Sequence, residues 1–394
     1  MEANRNSHYN QRAILNNFTV KNGKSNIITL IDLKNKKIIK KDTRKAYAAK
    51  GLYPNDLESM LNEKIEQPCL RIFKRIAGSK REVSLYRKEL ELLQKYLLIQ
   101  RYRSPWNLKT YSPVWNGDVL GINRSMFGSD EESLEYVFGE MREILNKDWD
   151  DLIESDNREI ADNVILTKTT STMIVRTDSE FVVNDHLTAT ERYNSKHSGS
   201  MNAQMMKMLE NVIRDCGCTA DGESIDRYIS GHQWADNFQV FPIAPNTAII
   251  LVDGVWTRFF RGQIDRSMVE SLGYRSPFLE KNYKLCKNDY VNKNLICEPI
   301  ARYGLSEETV RETNDRIEKY KDPNDRFIYP IITLDDQDKD WLNCLLINEA
   351  TEYIGFRTLE GAMPSIMSYN GALLERKNDL SWVQEMTDRG GSSE

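Results

Sequence analysis

Apolar residues along this chain fall into two kinds of run. Some recur every three to four positions, the spacing of a helix that buries one face; others are short, β-branched and continuous or alternating, as in strands. Leu57, Leu61, Ile65, Ile72, Phe73 and Ile76 predict a helix from Asp56 to about Ala77, kinked or interrupted at Pro68. Val83, Leu85, Leu90, Leu92, Leu93, Tyr96, Leu97 and Leu98 predict a second, from about Lys80 to Arg103. Ser104 closes it, because a residue before proline avoids helical backbone. Ser129-Asp-Glu-Glu is a capping pattern that opens a third helix, with Leu134, Val137, Phe138, Met141, Ile144 and Leu145 inward. Further helices are predicted from Met201, Ser306 and Asp335, the last with Trp341, Leu345, Leu346 and Tyr353 inward.

The strand signals are Asn26–Leu33 and Lys37–Ile39, a hairpin turning at Lys34-Asn35-Lys36, and Ser171–Leu187, a second hairpin in which two β-rich runs flank a polar turn. The second run, Phe181-Val182-Val183, is apolar without a break and ends in Asn184, Asp185 and His186. Phe238–Phe241 and Thr247–Val252 predict two strands parted by Pro242-Ile-Ala-Pro245 and lying beside that hairpin in one sheet. Phe327–Thr333 reads as an edge strand, since Pro330 has no N–H to give a ladder. Trp106–Ser129, rich in Pro, Gly and Trp, is expected to be an ordered loop or lid. Clustered helices and strands without a strict strand–helix repeat predict an α+β fold, a central mostly antiparallel sheet flanked by N-terminal and C-terminal helices. A single domain is expected over 1–384, with a fraying tail at 385–394.

With 394 residues, 40 % of them hydrophobic, the chain can bury a substantial core. Its longest apolar runs, such as Ala248–Val252, fall far short of the ~18 residues of a spanning helix, and its polar start is unlike a signal peptide. No membrane partner and a cytoplasmic location are expected. The six cysteines are read as free thiols. Cys216-Gly-Cys218 lacks the two-residue spacer of zinc and redox motifs, so no metal is assigned, and cofactor and oligomeric state stay open.

Charge changes the picture more. Residues 1–110 hold 24 Lys/Arg against 10 Asp/Glu, whereas the other 284 residues hold 30 against 49. Such asymmetry suits nucleic acid or another anionic partner, or else the basic part packs on an acidic segment such as Asp130–Asp162. The hairpin lysines, Lys37 and Lys40 among them, mark a solvated or phosphate-facing surface. Arg101 and Arg103, at a helix end, can grip phosphate through planar forks or complement the helix dipole. Four histidines are available, His8, His186, His197 and His232. His8, beside Tyr9 before an apolar turn, can transfer a proton or simply bond a backbone carbonyl. Asp185, at the end of a buried strand, can orient a histidine or cap the next turn.

His8-Tyr9 with Leu15 and Phe18, Arg103-Ser104-Pro105, Phe181 with Asp185, Phe241-Pro242-Ile-Ala-Pro245 and Ile347-Asn348 recur in this order in a bacterial family. The chain resembles domain of unknown function family 4238 over roughly its first 355 residues. Members typically open with His-Tyr-Val-Pro-Gln and later carry Phe-Ile-Thr-Ser-Asp-Asn-Pro and Phe-Pro-Leu-Ser-Pro. This chain departs with Gln11-Arg12 after its His-Tyr and with Asn184-Asp185-His186-Leu187, where Asp185 alone carries over. The resemblance supports His8, Arg103, Asp185 and Asn348 as polar positions and implies no activity.

Walker, Rossmann, zinc, Ser-elbow and kinase motifs are absent. Two functions follow. One is a nucleic-acid or nucleotide hydrolase, a nuclease of toxin or phage-defence type, with His8, Arg103 and Asp185 catalytic and Arg101, Lys37, Lys40 and Asn348 binding substrate. The other is a non-catalytic module that docks nucleic acid or protein. Convergence of His8, Arg103 and Asp185 in one cleft favours the first, dispersal the second.

Overall fold

A computed structural model describes residues 6–8, 10–103, 129–149, 151–152, 155–157, 160–161, 163–164, 167, 170–192, 236–252, 254–271, 276–281, 283, 285, 322, 324–371 and 376–388. The loop from Trp106, the helices expected from Met201 and Ser306, Cys216-Gly-Cys218, His197 and His232 lie outside these residues.

The N-terminal region runs β1 (Asn6–His8), α1 (Arg12–Leu15), β2 (Val20–Asn22), β3 (Ser25–Asp32), β4 (Lys37–Asp42) and β5 (Ala48–Lys50). The lysine-rich hairpin forms as its sequence predicts. Asp32 pairs with Lys37, and its carboxylate accepts hydrogen bonds at 2.9 Å from both the backbone N–H and the side-chain amide of Asn35, fixing the turn. β1 pairs with β5 as a separate two-stranded ribbon.

A long helix follows as α2 (Asn55–Met60), a π-helical stretch (Leu61–Glu66) and α3 (Gln67–Gly78). The chain stays helical through Pro68, but the α-helix is interrupted just before the proline, as the sequence predicts. The wider π stretch, with its i→i+5 bonds, takes up the helix just before the proline, whose missing N–H would otherwise interrupt the ladder. Residues 82–86, expected within the next helix, form strand β6 (Glu82–Tyr86) instead. Val83 and Leu85 are buried while Glu82 and Tyr86 are exposed, a period of two that helical spacing does not need. The helix itself is α4 (Arg87–Arg103), with Tyr96 through Gln100, Tyr102 and Arg103 all buried, as in a helix surrounded by protein. α5 (Asp130–Asn146) starts where Ser129 accepts the N–H of Glu132 at 3.1 Å, the cap its sequence announces.

β7 (Ser171–Arg176) and β8 (Val183–Asn184) do not form the expected hairpin. After β7 the chain crosses to another sheet. Phe181 N–H donates to the Pro245 carbonyl at 2.5 Å, and Val182 N–H to the Asn343 amide oxygen at 3.0 Å, so neither is left for a partner on β7. Next come β9 (Ala189–Arg192), β10 (Asp236–Ala244) and β11 (Thr247–Val252). β10 runs through Pro242 to Ala244, shifting register between the two, so the turn is shorter than Pro242–Pro245. Then follow α6 (Gly254–Phe260), α7 (Arg266–Ser271), β12 (Arg326–Thr333), α8 (Asp336–Glu349), β13 (Tyr353–Phe356), α9 (Leu359–Gly371) and α10 (Ser381–Asp388). Tyr353, expected on the helix from Asp335, thus opens a strand. Helix α10 carries residues 385–388 of the expected tail.

Two sheets hold the fold. One has the order β6-β12-β7-β11-β10-β9, the other β2-β3-β13-β8 with β4 on the opposite side of β3. Only the β12–β7 pairing is parallel among the described ladders, so the fold is α+β and mostly antiparallel. β12 is internal rather than an edge. Its residues 326–330 pair with β6 and 331–333 with β7, and Pro330 stands at the changeover, where no ladder requires its N–H. Gly355 on β13 serves a close approach: a Cβ there would lie 2.6 Å from the Tyr47 hydroxyl and 2.9 Å from Val183 Cγ2.

Two buried polar clusters brace the C-terminal region. Lys339, fully buried, meets Asp340 at 2.5 Å and Ser365 at 3.3 Å, joining α8 to α9. Tyr283 donates its hydroxyl to the buried Asp338 carboxylate. Among the described residues no helix is long and apolar enough to cross a membrane, Cys69 and Cys344 are free and buried, and no group of three His, Cys, Asp or Glu is placed to hold a metal ion.

Candidate functional site

β1 places His8 against the end of the basic hairpin. Its Nε2 lies 3.0 Å from the Thr43 carbonyl, which can only accept, so Nε2 carries the proton and Nδ1 the lone pair. The half-buried ring has its pKa lowered below 6.5, first by burial and then by the charges of Arg103 and Arg12, against the opposing hydrogen bond to Thr43. It is therefore a neutral imidazole at neutral pH.

Arg103 is brought to the same place from the end of α4. It is 2 % exposed, donates one nitrogen to the backbone carbonyl of His8 and another to Glu66 at 2.5 Å, and lies 5.8 Å from the centre of the Tyr53 ring. Tyr53 also donates to the Arg103 carbonyl at 3.3 Å, and burial raises its pKa to about 12. Burial is the largest influence and works against the Arg103 charge, but Glu66, Tyr53 and Tyr96 together raise the pKa and keep the guanidinium protonated. Glu66 closes the π-helical stretch, and Gln11 donates to its carbonyl at 3.2 Å. Arg103 Nε, Gln11 Oε1 and the Tyr96 hydroxyl are buried without a hydrogen-bond partner among the described residues.

Asp185 lies elsewhere in the same core. It is fully buried and accepts the Thr351 N–H at 3.0 Å, the Glu352 N–H at 2.9 Å and the Thr351 hydroxyl, capping the turn into β13. His186 approaches it at 4.0 Å. Asn184 beside it is a hub: its side chain donates to the carbonyls of Thr188 and Leu346, and its own carbonyl accepts from Asn10 at 2.7 Å. Gln100 of α4 donates to the His186 carbonyl at 3.2 Å. This amide network ties the segments that carry His8 and Arg103 to the residues on either side of Asp185.

The remaining candidates are spread out. Arg101 is half-buried on α4. The Asn348 side-chain oxygen accepts from Tyr369 at 2.9 Å and from the Lys377 N–H at 3.0 Å, holding a turn. Lys37 and Lys40 are exposed on β4, but being three residues apart they point to opposite faces of the sheet; Lys37 shares its face with Lys41, whose ammonium lies 5.1 Å from the centre of the Tyr353 ring. The structure thus joins His8 to Arg103 and leaves Asp185 and Asn348 in separate bracing roles.

Glu66, Thr43, Tyr53 and Arg12 were not singled out by sequence reasoning. A proline two residues after Glu66, inside a helical pattern, is the local irregularity the sequence shows beside it, and it reads only as a break in a helix.

An α+β core of two largely antiparallel sheets, with a basic hairpin anchored to an N-terminal histidine, is the class these features define. The chain belongs to the family described as Protein of unknown function (DUF4238), which it matches over residues 6–360. Comparison with curated proteins and with solved structures gave no match.

Proposed function

We propose that this chain binds nucleic acid through the β3–β4 hairpin and the turn that follows it. Between residues 34 and 45 stand seven Lys/Arg against one acid. Lys34, Lys36, Lys37, Lys40, Arg44 and Lys45 are exposed, and β4 pairs with β3 alone among the described strands. Lysines also guard an unpaired strand edge against other strands. The basic run, however, continues beyond the strand into Lys45 and into Arg44, which Asp42 holds in place at 2.6 Å, and Arg12, whose charge reaches His8, is exposed as well, which edge protection does not call for. That continuity is the observation that carries the reading.

A hydrolase using His8, Arg103 and Asp185 together has the His8–Arg103 contact in its favour. The engagement of Arg103 with Glu66, and of Asp185 with Thr351 and Glu352, favours binding over that triad. Fluorescence anisotropy with RNA and DNA oligonucleotides tests the docking. Affinity is expected to fall linearly on a log scale as salt rises, and Lys40→Glu with Lys45→Glu to weaken it and flatten the slope. No binding at low salt rules the reading out.

A further inference from the structure

Resting on that docking surface but going beyond binding, we infer that the nucleic acid held there is RNA and that His8 cleaves it, as the base that removes the proton of a ribose 2′-hydroxyl. The imidazole sits where the basic strand ends, with its ring fixed by Thr43 and its backbone carbonyl fixed by Arg103. Because Nε2 is committed to Thr43, Nδ1 is the nitrogen with a lone pair to offer. The carboxylates around it are already engaged: Glu66 by Arg103 and Asp42 by Arg44, at 2.5 and 2.6 Å. Asp185 is spent on Thr351 and Glu352. Among the described residues His8 is the proton acceptor left at this corner, and Arg12, four residues along the chain, is exposed.

A single base suffices when the substrate brings its own nucleophile, and RNA does. The 2′-oxygen gives its proton to His8 Nδ1 and bonds the adjacent phosphorus, and the bond from phosphorus to the 5′-oxygen breaks. The departing 5′-oxygen takes a proton from water. The imidazolium returns its own proton to the hydroxide so formed, restoring His8 and water and leaving a 2′,3′-cyclic phosphate and a 5′-hydroxyl. Arg12 and the hairpin lysines supply positive charge for the phosphorane as it gains negative charge. DNA lacks the 2′-hydroxyl and is held uncut.

The test reads binding and cleavage separately. Single-stranded RNA, DNA and 2′-O-methyl RNA of one sequence are incubated with the full chain, with anisotropy for binding and analysis of product ends for cleavage. RNA alone is expected to be cut, to a 2′,3′-cyclic phosphate. His8→Gln, purified in parallel, keeps an N–H for Thr43 and is expected to cut at least about 100-fold more slowly with an unchanged melting temperature. RNA bound but not cut, DNA cut equally, or full activity in His8→Gln overturns the cleavage while leaving the docking surface in place. If none of the three oligonucleotides binds, the docking reading falls and the cleavage with it.

Discussion

Arg103 holds the backbone of His8 rather than its imidazole: one guanidinium nitrogen is donated to the His8 carbonyl while another is held by Glu66. A residue expected to meet phosphate instead fixes the segment that carries the histidine. A buried arginine paired in this way leaves an uncompensated carboxylate when removed.

Arg103→Met is therefore expected to cost about 3 kcal/mol in urea unfolding, and the Arg103→Met, Glu66→Leu double variant to recover part of it. An additive or larger loss in the double variant contradicts the pairing as the main contribution.

Asp185→Asn is expected to destabilise by about 2 kcal/mol, because an amide presents an N–H₂ where the carboxylate accepts from the N–H groups of Thr351 and Glu352. A working carboxylate would give the opposite balance, with activity lost and stability kept. Parallel melting curves decide between them.

His8 contributes a pH dependence of known sign. Its folded pKa lies below 6.5, so between those two values the unfolded chain binds the extra proton. Stability is expected to rise with pH across that window, be complete above 6.5, and be lost as pH falls through it. His8→Gln should flatten this part of the curve, and an unchanged slope would exclude His8 as its source.

Gly355→Ala places a Cβ 2.6 Å from the Tyr47 hydroxyl, 2.9 Å from Val183 and 3.0 Å from Ile28, an overpacking expected to cost about 1–3 kcal/mol. Tyr47→Phe removes the nearest of these atoms and is expected to restore part of the loss. The measurement is chemical unfolding of the two single variants and the double.

The elements that could be read from the sequence are those with local causes. The Ser129 cap, the lysine hairpin and the apolar run of β11 follow from neighbouring residues, and the structure keeps them. The misreadings share a different cause. β6 reads as helix because Val83 and Leu85 run straight into the helical pattern from Leu90, and their strand spacing is decided only when β12, over 200 residues away, supplies a partner. β8 reads as the second arm of a hairpin because nothing near it reveals that Asn343 takes the N–H of Val182. At the site, His8 and Arg103 were legible, whereas Glu66 was not, since its role depends on how a π-helical stretch aims one carboxylate.

β3, at residues 25–32, lies against β13, at residues 353–356. A chain made from its N-terminus therefore exposes the inner edge of its lysine hairpin until β13, more than 300 residues later, has left the ribosome. At roughly 5–20 residues per second, that wait lasts tens of seconds. Throughout it, the basic strands stand in the cell with an open side, beside the nascent chain's own messenger RNA.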